Sequence, residues 1–278
     1  MRTPLVLALA ALISGALGGV ARADAPLADD LINTDRPGAA YASTTVHKLQ
    51  FQLELGVDVR HNSASLGGAD ATTTLLSLPV FIRFGLHDRF ELRIEGDTLT
   101  TLWPPGNADT HVGFGDLAFG FKLMILAQNR GAIPFLSFMT MVFFPTGSNA
   151  LTLDADDRAR GITPLFMTMA TWGLGAGFAV NLNLGADIIA PPGVERHARF
   201  RNVTNVTYTL PVMRQRLSLW VEGAFIVPIN TDLTAPVSFD FGALFLLTKD
   251  IQLDVQALIG LTDAAQDIVV GAGFSFRT

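Results

Sequence analysis

Hydrophobic and polar residues alternate with a period of two along most of this chain. The clearest run is residues 47–60, HKLQFQLELGVDVR, in which leucine, phenylalanine or valine occupies alternate positions. Such alternation is typical of a β-strand with one apolar and one polar face. The pattern predicts twelve strands, at residues 47–60, 74–84, 89–99, 111–126, 133–144, 162–172, 174–188, 203–212, 216–228, 237–247, 250–261 and 267–277. The fifth and sixth are apolar on both faces, so the pattern does not define their registers.

Residues 162–190 form the longest stretch nearly free of charge beyond the N-terminus, and a membrane-crossing helix must be considered there. A helical period would place Asn181, Asn183 and Asp187 in lipid. A period of two gathers the same residues on the polar face of a strand. We therefore expect an all-β protein.

The segments between the predicted strands alternate in length. Residues 61–73, 100–110 and 145–161 are long connections, whereas 85–88 and 127–132 are short. Transmembrane barrels alternate short periplasmic turns with longer extracellular loops when both termini are periplasmic. Because only a closed barrel pairs all the backbone groups of β-structure within lipid, we predict a transmembrane antiparallel up-and-down β-barrel of about twelve strands.

A soluble β-sandwich or lipocalin-like barrel also has alternating strands, but its apolar face points inward. Twelve apolar strips would then have to fit one interior, and the opposite faces are rich in glycine, alanine and asparagine. The composition, 49% hydrophobic and 16% charged, is also short of the roughly 25% charge usual in soluble domains. These features favour the membrane barrel.

Residues 1–23 have the features of a cleaved signal peptide. Arg2 supplies a positive charge, residues 5–13 are apolar, and Ala21 and Ala23 are the small residues before the expected cleavage site. We expect residues 24–46 to form a periplasmic lead or a plug inside the barrel, with Asp35 and Arg36 as plug residues. Residues 47–278 are then the barrel.

The chain has no cysteine, which excludes disulfides and thiolate metal sites, and its net charge of −6 argues against a nucleic-acid partner. Neither a cofactor nor a metal is indicated. GFGDLA at 113–118 has the glycine spacing of a dinucleotide fingerprint, but a strand follows it instead of a helix. Asp154, Asp156 and Asp157 lack the spacing of a calcium loop.

The polar faces of the predicted strands supply the candidate lumen-lining residues. They are Glu54, Asp58, Arg83, Glu91, Arg93, Glu95, Asp97, Asp116, Lys122, Asp187, Glu222, Asp240 and Asp254, with Arg277 as a further base. Ten acids then face four bases, which favours a narrow, mildly cation-preferring passage for small solutes. The alternative is that the charges neutralise one another and hold the barrel's shape.

Several short motifs carry a family resemblance. They are TDRP at 34–37, LPV at 78–80, GLHDRFELR at 85–93, GFGDL at 113–117, PTG at 145–147, VEG at 221–223 and GLTD at 260–263. In order and spacing they resemble the outer-membrane transporter family named for the meta-pathway of phenol degradation. The resemblance covers nearly all of the expected mature chain. It implies a channel that passes small, often aromatic or hydrophobic, compounds.

Two other classes of protein stay open. A barrel phospholipase would use His61 and Ser63, which lie two residues apart and would face the outer leaflet if the first strand continued. No third member of a triad is evident, and we assign no catalytic residue. A structural barrel without a transport role is the other alternative. The barrel interpretation implies outer-membrane lipid, lipopolysaccharide, the barrel assembly machinery and a small-molecule solute as partners, and nothing in the sequence indicates an oligomeric state.

Overall fold

The computed structural model describes residues 31–66, 69–106, 109–127, 132–148, 161–189 and 195–278. The predicted signal peptide and the aspartates Asp154, Asp156 and Asp157 lie outside the described residues. In the described part of the chain, no helix has the length and apolar character needed to cross a membrane.

The described residues form thirteen β-strands. They are β1 (Phe51–Leu66), β2 (Ala69–His87), β3 (Phe90–Trp103), β4 (His111–Gly113), β5 (Leu117–Leu126), β6 (Phe135–Phe144), β7 (Thr163–Gly175), β8 (Phe178–Ile189), β9 (His197–Thr209), β10 (Leu217–Pro228), β11 (Val237–Leu246), β12 (Ile251–Gly260) and β13 (Ile268–Arg277).

Antiparallel pairing closes these strands into a ring. β1 pairs with β2 on one side and with β13 on the other, from Gln52 opposite Arg277 to His61 opposite Ile268. β3 pairs with β5 near its start and with β4 near its end, so β4 and β5 are two parts of one barrel strand interrupted at residues 114–116. The described strands therefore form a closed up-and-down barrel of twelve strands, which confirms the predicted fold class.

The two faces of the wall are inverted relative to a soluble barrel. On the outer face Val255 is 52% exposed and Phe119 47% exposed, whereas Glu54, Lys122 and Asn183 on the inner face are fully buried. Large apolar side chains in contact with solvent are unfavourable, and lipid is the environment that suits them. The barrel is a transmembrane barrel, as the alternation predicts.

The prediction of a long connection at residues 61–73 is wrong. β1 continues to Leu66 and β2 begins at Ala69, so both strands exceed the roughly 9–11 residues that a membrane strand needs. This part of the hairpin is rich in serine, threonine and alanine, and its ladder pairs Asn62 with Thr73 and Ser63 with Thr72. Where the two strands extend beyond the lipid, neither face of the hairpin has to be apolar. The alternation of hydrophobic and polar residues therefore ends before the strands end.

Other strand boundaries also differ from the prediction, among them the start of β1, which is Phe51 instead of residue 47. The alternation from residue 174 passes through a tight turn: Gly175, Ala176 and Gly177 all have positive φ, so β7 ends at Gly175 and β8 begins at Phe178. A two-residue turn between strands gives no break in the hydrophobic pattern. β9 begins at His197 instead of residue 203, which moves Arg199 and Arg201 from the predicted loop into the wall.

The structure supplies the registers of β6 and β7 that the sequence left undefined. Met139 of β6 lies opposite Met167 of β7, and both point into the barrel with Met141 and Met169. All four side chains are fully buried. The interior therefore has an apolar sector on β6 and β7 beside its charged sectors.

A charge on the outer face should be costly in proportion to its depth in the bilayer. Val255 lies at the middle of β12 and Leu261 just after its end, and both are exposed on the outer surface. We expect Val255→Arg to lower the free energy of unfolding in phospholipid vesicles by about 2–4 kcal/mol and Leu261→Arg by about 0–1 kcal/mol. Equal losses in a denaturant titration would contradict the assignment of this face to lipid.

Candidate functional site in the barrel interior

Residues 31–50, called here the luminal segment, run through the interior of the barrel. At one end the backbone N–H of Ile32 donates to the carbonyl of Lys249 in the β11–β12 turn, and at the other the N–H of Leu49 donates to Gly85 of β2, both at 2.7 Å. Between these points Ser43 and Val46 are fully enclosed. The charged residues of the inner wall thus face a protein segment.

Three cationic side chains of the wall surround the carboxylate of Asp35. Arg93 Nη1, Lys122 Nζ and Arg83 Nη1 lie 2.5, 3.2 and 3.5 Å from Asp35 Oδ2. Burial acts to raise the pKa of Asp35, but the three cations outweigh it and hold the pKa well below its usual range. Asp35 is therefore ionised at neutral pH and is the anion around which this sector is built.

Three glutamates of the wall compensate the same cations. Arg83 lies 2.9 Å from Glu91 and 3.2 Å from Glu54, and Arg93 lies 2.7 Å from Glu91 and 2.5 Å from Glu95. All of these side chains are buried, where a charge is tolerated only if it is paired. The structure thus brings six of the predicted lumen residues, counting Lys122, into one network.

Arg36 points to a different sector from its neighbour Asp35. Its Nη2 lies 3.4 Å from Asp58 Oδ1 and 3.5 Å from Asp254 Oδ1. Gly56 and Gly273 make room for the guanidinium, because a Cβ at either position would overlap it. The two predicted plug residues therefore each meet wall groups of opposite charge.

Glu222 and Asp240 form an acidic pair of different character. They are cross-strand partners on β10 and β11, both are buried, and neither forms an ion pair within the described part of the chain. Glu222 accepts hydrogen bonds from the backbone N–H groups of Ala39 (2.7 Å) and Ala40 (3.2 Å) of the luminal segment. These are two neighbouring buried carboxyl groups of the wall with no described cation within ion-pair distance.

Tyr41 connects the luminal segment to the apolar sector. Its ring packs against the methionine cluster and lies 5.4 Å from the Arg93 guanidinium, while its hydroxyl donates to Glu95 Oε2 at 3.1 Å. Burial and Glu95 raise the pKa of Tyr41, so the hydroxyl keeps its proton. Its backbone N–H donates to Asn183 at 2.7 Å. Tyr41 is not among the residues predicted from the sequence; a lone tyrosine among small residues was the available signal.

Asp187 lies in a third charged sector. Its Oδ2 is 2.8 Å from Arg199 Nη2 and 2.9 Å from Arg201 Nη1. Neither arginine is among the predicted lumen residues, because both fall in the predicted loop before residue 203. Their alternation with Phe200 was the signal that could have extended the strand.

The last three predicted lumen residues are peripheral. Arg277 ends β13, and its Nη2 lies 2.7 Å from Asp250 Oδ1. Asp97 Oδ2 lies 3.9 Å from Arg60 Nη2. Asp116 lies in the interruption between β4 and β5 and accepts a hydrogen bond from the backbone N–H of Gly147 at 2.8 Å. Its visible role is to connect the interrupted strand to the residues that follow β6.

The candidate hydrolase residues do not contact one another. His61 and Ser63 lie on the outer face of β1, both exposed. The His61 ring contacts Thr74 Oγ1 at 3.3 Å, and the backbone N–H of Ser63 donates to Asp267 at 2.7 Å. This arrangement lacks the hydrogen bond that a base makes to a nucleophile.

Fold and interior together define an outer-membrane-type β-barrel with a charged, segment-filled lumen. A family model described as "Putative MetA-pathway of phenol degradation" matches residues 34–278. The chain belongs to this family, as the sequence motifs indicate. Among curated proteins none matches the chain in sequence.

Solved structures with a similar fold are outer-membrane barrels of distant sequence. An outer membrane channel from Pseudomonas putida F1 aligns with a TM-score of 0.62 at 15% identity, over 87% of this chain and 100% of its own. The translocator domain of the autotransporter NalP from Neisseria meningitidis aligns with 0.51 at 12% identity, over 98% and 97%. The porin NanC aligns with 0.50 at 11%, over 81% and 98%. At identities this low, the structural alignments establish a shared fold and no more.

The Asp35 network should determine how firmly the luminal segment is held. We expect Asp35→Asn to accelerate maleimide labelling of a cysteine placed at the buried position Ala40 by roughly tenfold or more, since breaking a buried pair costs about 3–5 kcal/mol. The native chain has no cysteine, so the label reports one site. A cysteine at the exposed Thr234 should label equally in both backgrounds. Unchanged labelling at position 40 would show that the segment is held elsewhere.

Proposed function

We propose that the protein is a channel of the bacterial outer membrane through which small aromatic or hydrophobic compounds diffuse passively. The observation that carries this proposal is the densely charged inner wall of a closed barrel. Buried charge is costly, and an apolar interior would serve a purely structural barrel better. The fold shared with a protein described as an outer membrane channel supports the same class of function.

We place both termini on the periplasmic side. At the end that carries Phe51 and Arg277, three of the five connections are short, 88–89, 176–177 and 247–250. At the opposite end 104–110, 145–162 and 190–196 are longer, as extracellular loops are in bacterial barrels. These loops would then face lipopolysaccharide, and the barrel assembly machinery would insert the chain.

In this proposal the luminal segment closes the resting channel. It crosses the interior at the level of Asp35 and Tyr41 and contacts opposite sides of the wall. A barrel of twelve strands has a lumen between the packed interior of eight strands and the open channel of sixteen. One buried segment is enough to block such a passage, so transport requires the segment to shift.

Weakening the segment's two charged contacts should open the channel. We expect the double variant Asp35→Asn, Arg36→Gln to spend roughly tenfold more time in conducting states than the wild type in planar bilayers, since about 1.4 kcal/mol changes such a population tenfold. Arg214→Gln, in an exposed turn, is the matched control and should behave as wild type. Absence of conductance in both proteins, with no swelling of liposomes in any small solute, would refute the channel.

Ion selectivity should depend on the acidic pair that no described cation compensates. We expect Glu222→Gln with Asp240→Asn to lower the potassium-to-chloride permeability ratio by roughly twofold or more. Asp263→Asn, the same chemical change at an exposed site outside the barrel wall, should leave the ratio unchanged. Reversal potentials in a salt gradient give the permeability ratio of each variant. An unaltered ratio in the double variant would assign selectivity to other groups.

A further inference from the structure

The wall beneath the luminal segment joins a cationic group to an apolar surface. Lys122 of β5 lies directly opposite Met139 of β6, and Met139 lies opposite Met167 of β7. Arg93 and Arg83 extend the cationic side, and Met141 and Met169 extend the apolar side. A group of cationic side chains and a surface of methionine side chains therefore lie side by side on the inner wall.

Lys122 depends on the luminal segment for nearly all its partners. Its Nζ donates to the carbonyl of Ala42 at 2.8 Å, lies 3.5 Å from that of Thr44, and lies 3.2 and 3.3 Å from the two oxygens of Asp35. From the wall it has Glu91 at 3.6 Å. If the segment shifts, a buried ammonium group loses its short contacts and requires another anion.

Two residues of the segment occupy this surface as an aromatic acid would. Asp35 places a carboxylate among the three cations, and Tyr41 places a ring against the methionines and beside the Arg93 guanidinium. Thioether sulfur and guanidinium both make favourable contacts with aromatic rings. The segment therefore presents a carboxylate and a ring to adjacent parts of one surface.

The lost contacts of Lys122, more than the net charge of the sector, favour an anionic replacement. Without Asp35, the cations Arg83, Arg93 and Lys122 face the three glutamates Glu54, Glu91 and Glu95. Binding of one carboxylate would return the sector to the net charge that it has when Asp35 of the luminal segment is in place. A neutral aromatic compound would fill the apolar part and leave Lys122 with only the 3.6 Å contact to Glu91.

We infer that the surface formed by Arg93, Lys122, Met139, Met141, Met167 and Met169 is the solute-binding site of the channel, that its ligand is a small aromatic carboxylate, and that Asp35 and Tyr41 occupy it as an internal ligand. This inference rests on the proposed function. The tethered Asp35 and Tyr41 have a high effective concentration, so a free solute competes poorly until the segment is weakened.

The direct test is binding of benzoate to the full chain in detergent micelles, measured by calorimetry. We expect Asp35→Asn with Tyr41→Ala to bind benzoate at least about tenfold more tightly than the wild type, because the internal competitor is gone. Adding Lys122→Gln should remove this gain, whereas adding Arg214→Gln should keep it. Phenol, as a neutral ring, should not bind at the same concentrations. No gain in the double variant, or equal binding of phenol, would overturn the inference.

A second measurement begins with a protein whose wall is unaltered. With a cysteine at position 40, benzoate should accelerate maleimide labelling in a saturable manner, and phenol and acetate should not, because each supplies only half of the ligand. Equal acceleration by acetate would contradict a site for the ring. Met167→Gln keeps the cations and should weaken the benzoate effect several-fold; an unchanged effect would exclude the methionine surface.

The inference and the proposed function fail in distinguishable ways. Conductance without any benzoate binding or labelling effect would overturn the site and leave the channel. Benzoate binding with the expected dependence on Lys122 and Met167, in a protein that never conducts, would support the site and refute transport.

Discussion

The requirement that every backbone polar group be paired within lipid constrains the rest of this structure. It forces the closure of β1 onto β13, and closure fixes a narrow interior lined by the inner face of every strand. Because the outer faces must be apolar, the charges of the strands collect inside, where each one needs a partner. The luminal segment supplies partners, with Asp35 for the cations and Arg36 for the acids. It is therefore a component of the barrel's electrostatics as well as an obstacle in its lumen.

Two adjacent residues of opposite charge hold the segment against different sides of the interior. Asp35 contacts cations on β2, β3 and β5, and Arg36 contacts acids on β1 and β12. A shift of the segment separates both sets at once, so the movement is costly unless something replaces the lost charges. A solute that carries its own anion lowers that cost in the Asp35 sector, which links binding to opening.

The features that lipid imposes were predictable from sequence, and the features that depend on interior contacts were not. The period of two placed Glu54, Arg93 and Lys122 on the polar face, where the structure has them buried. The β1–β2 hairpin extends beyond lipid, where alternation carries no information. The inward position of the methionines was hidden because β6 and β7 are apolar on both faces. The role of Tyr41 depends on contacts between residues distant in sequence, which no local pattern encodes.

Counting charges on the inner faces is a poor guide to the field that an ion meets. The count of ten acids against four bases omits Arg36, Arg199 and Arg201, which contact Asp58, Asp254 and Asp187. These three arginines offset half of that excess of six acids at short range, where screening by ions is weakest, and the luminal segment adds the acid Asp35. Glu222 and Asp240 are left as buried neighbours without a described cation. A weak preference for cations would then originate at wall acids of this kind, and the wall charges that contact Asp35 and Arg36 would serve to hold the luminal segment.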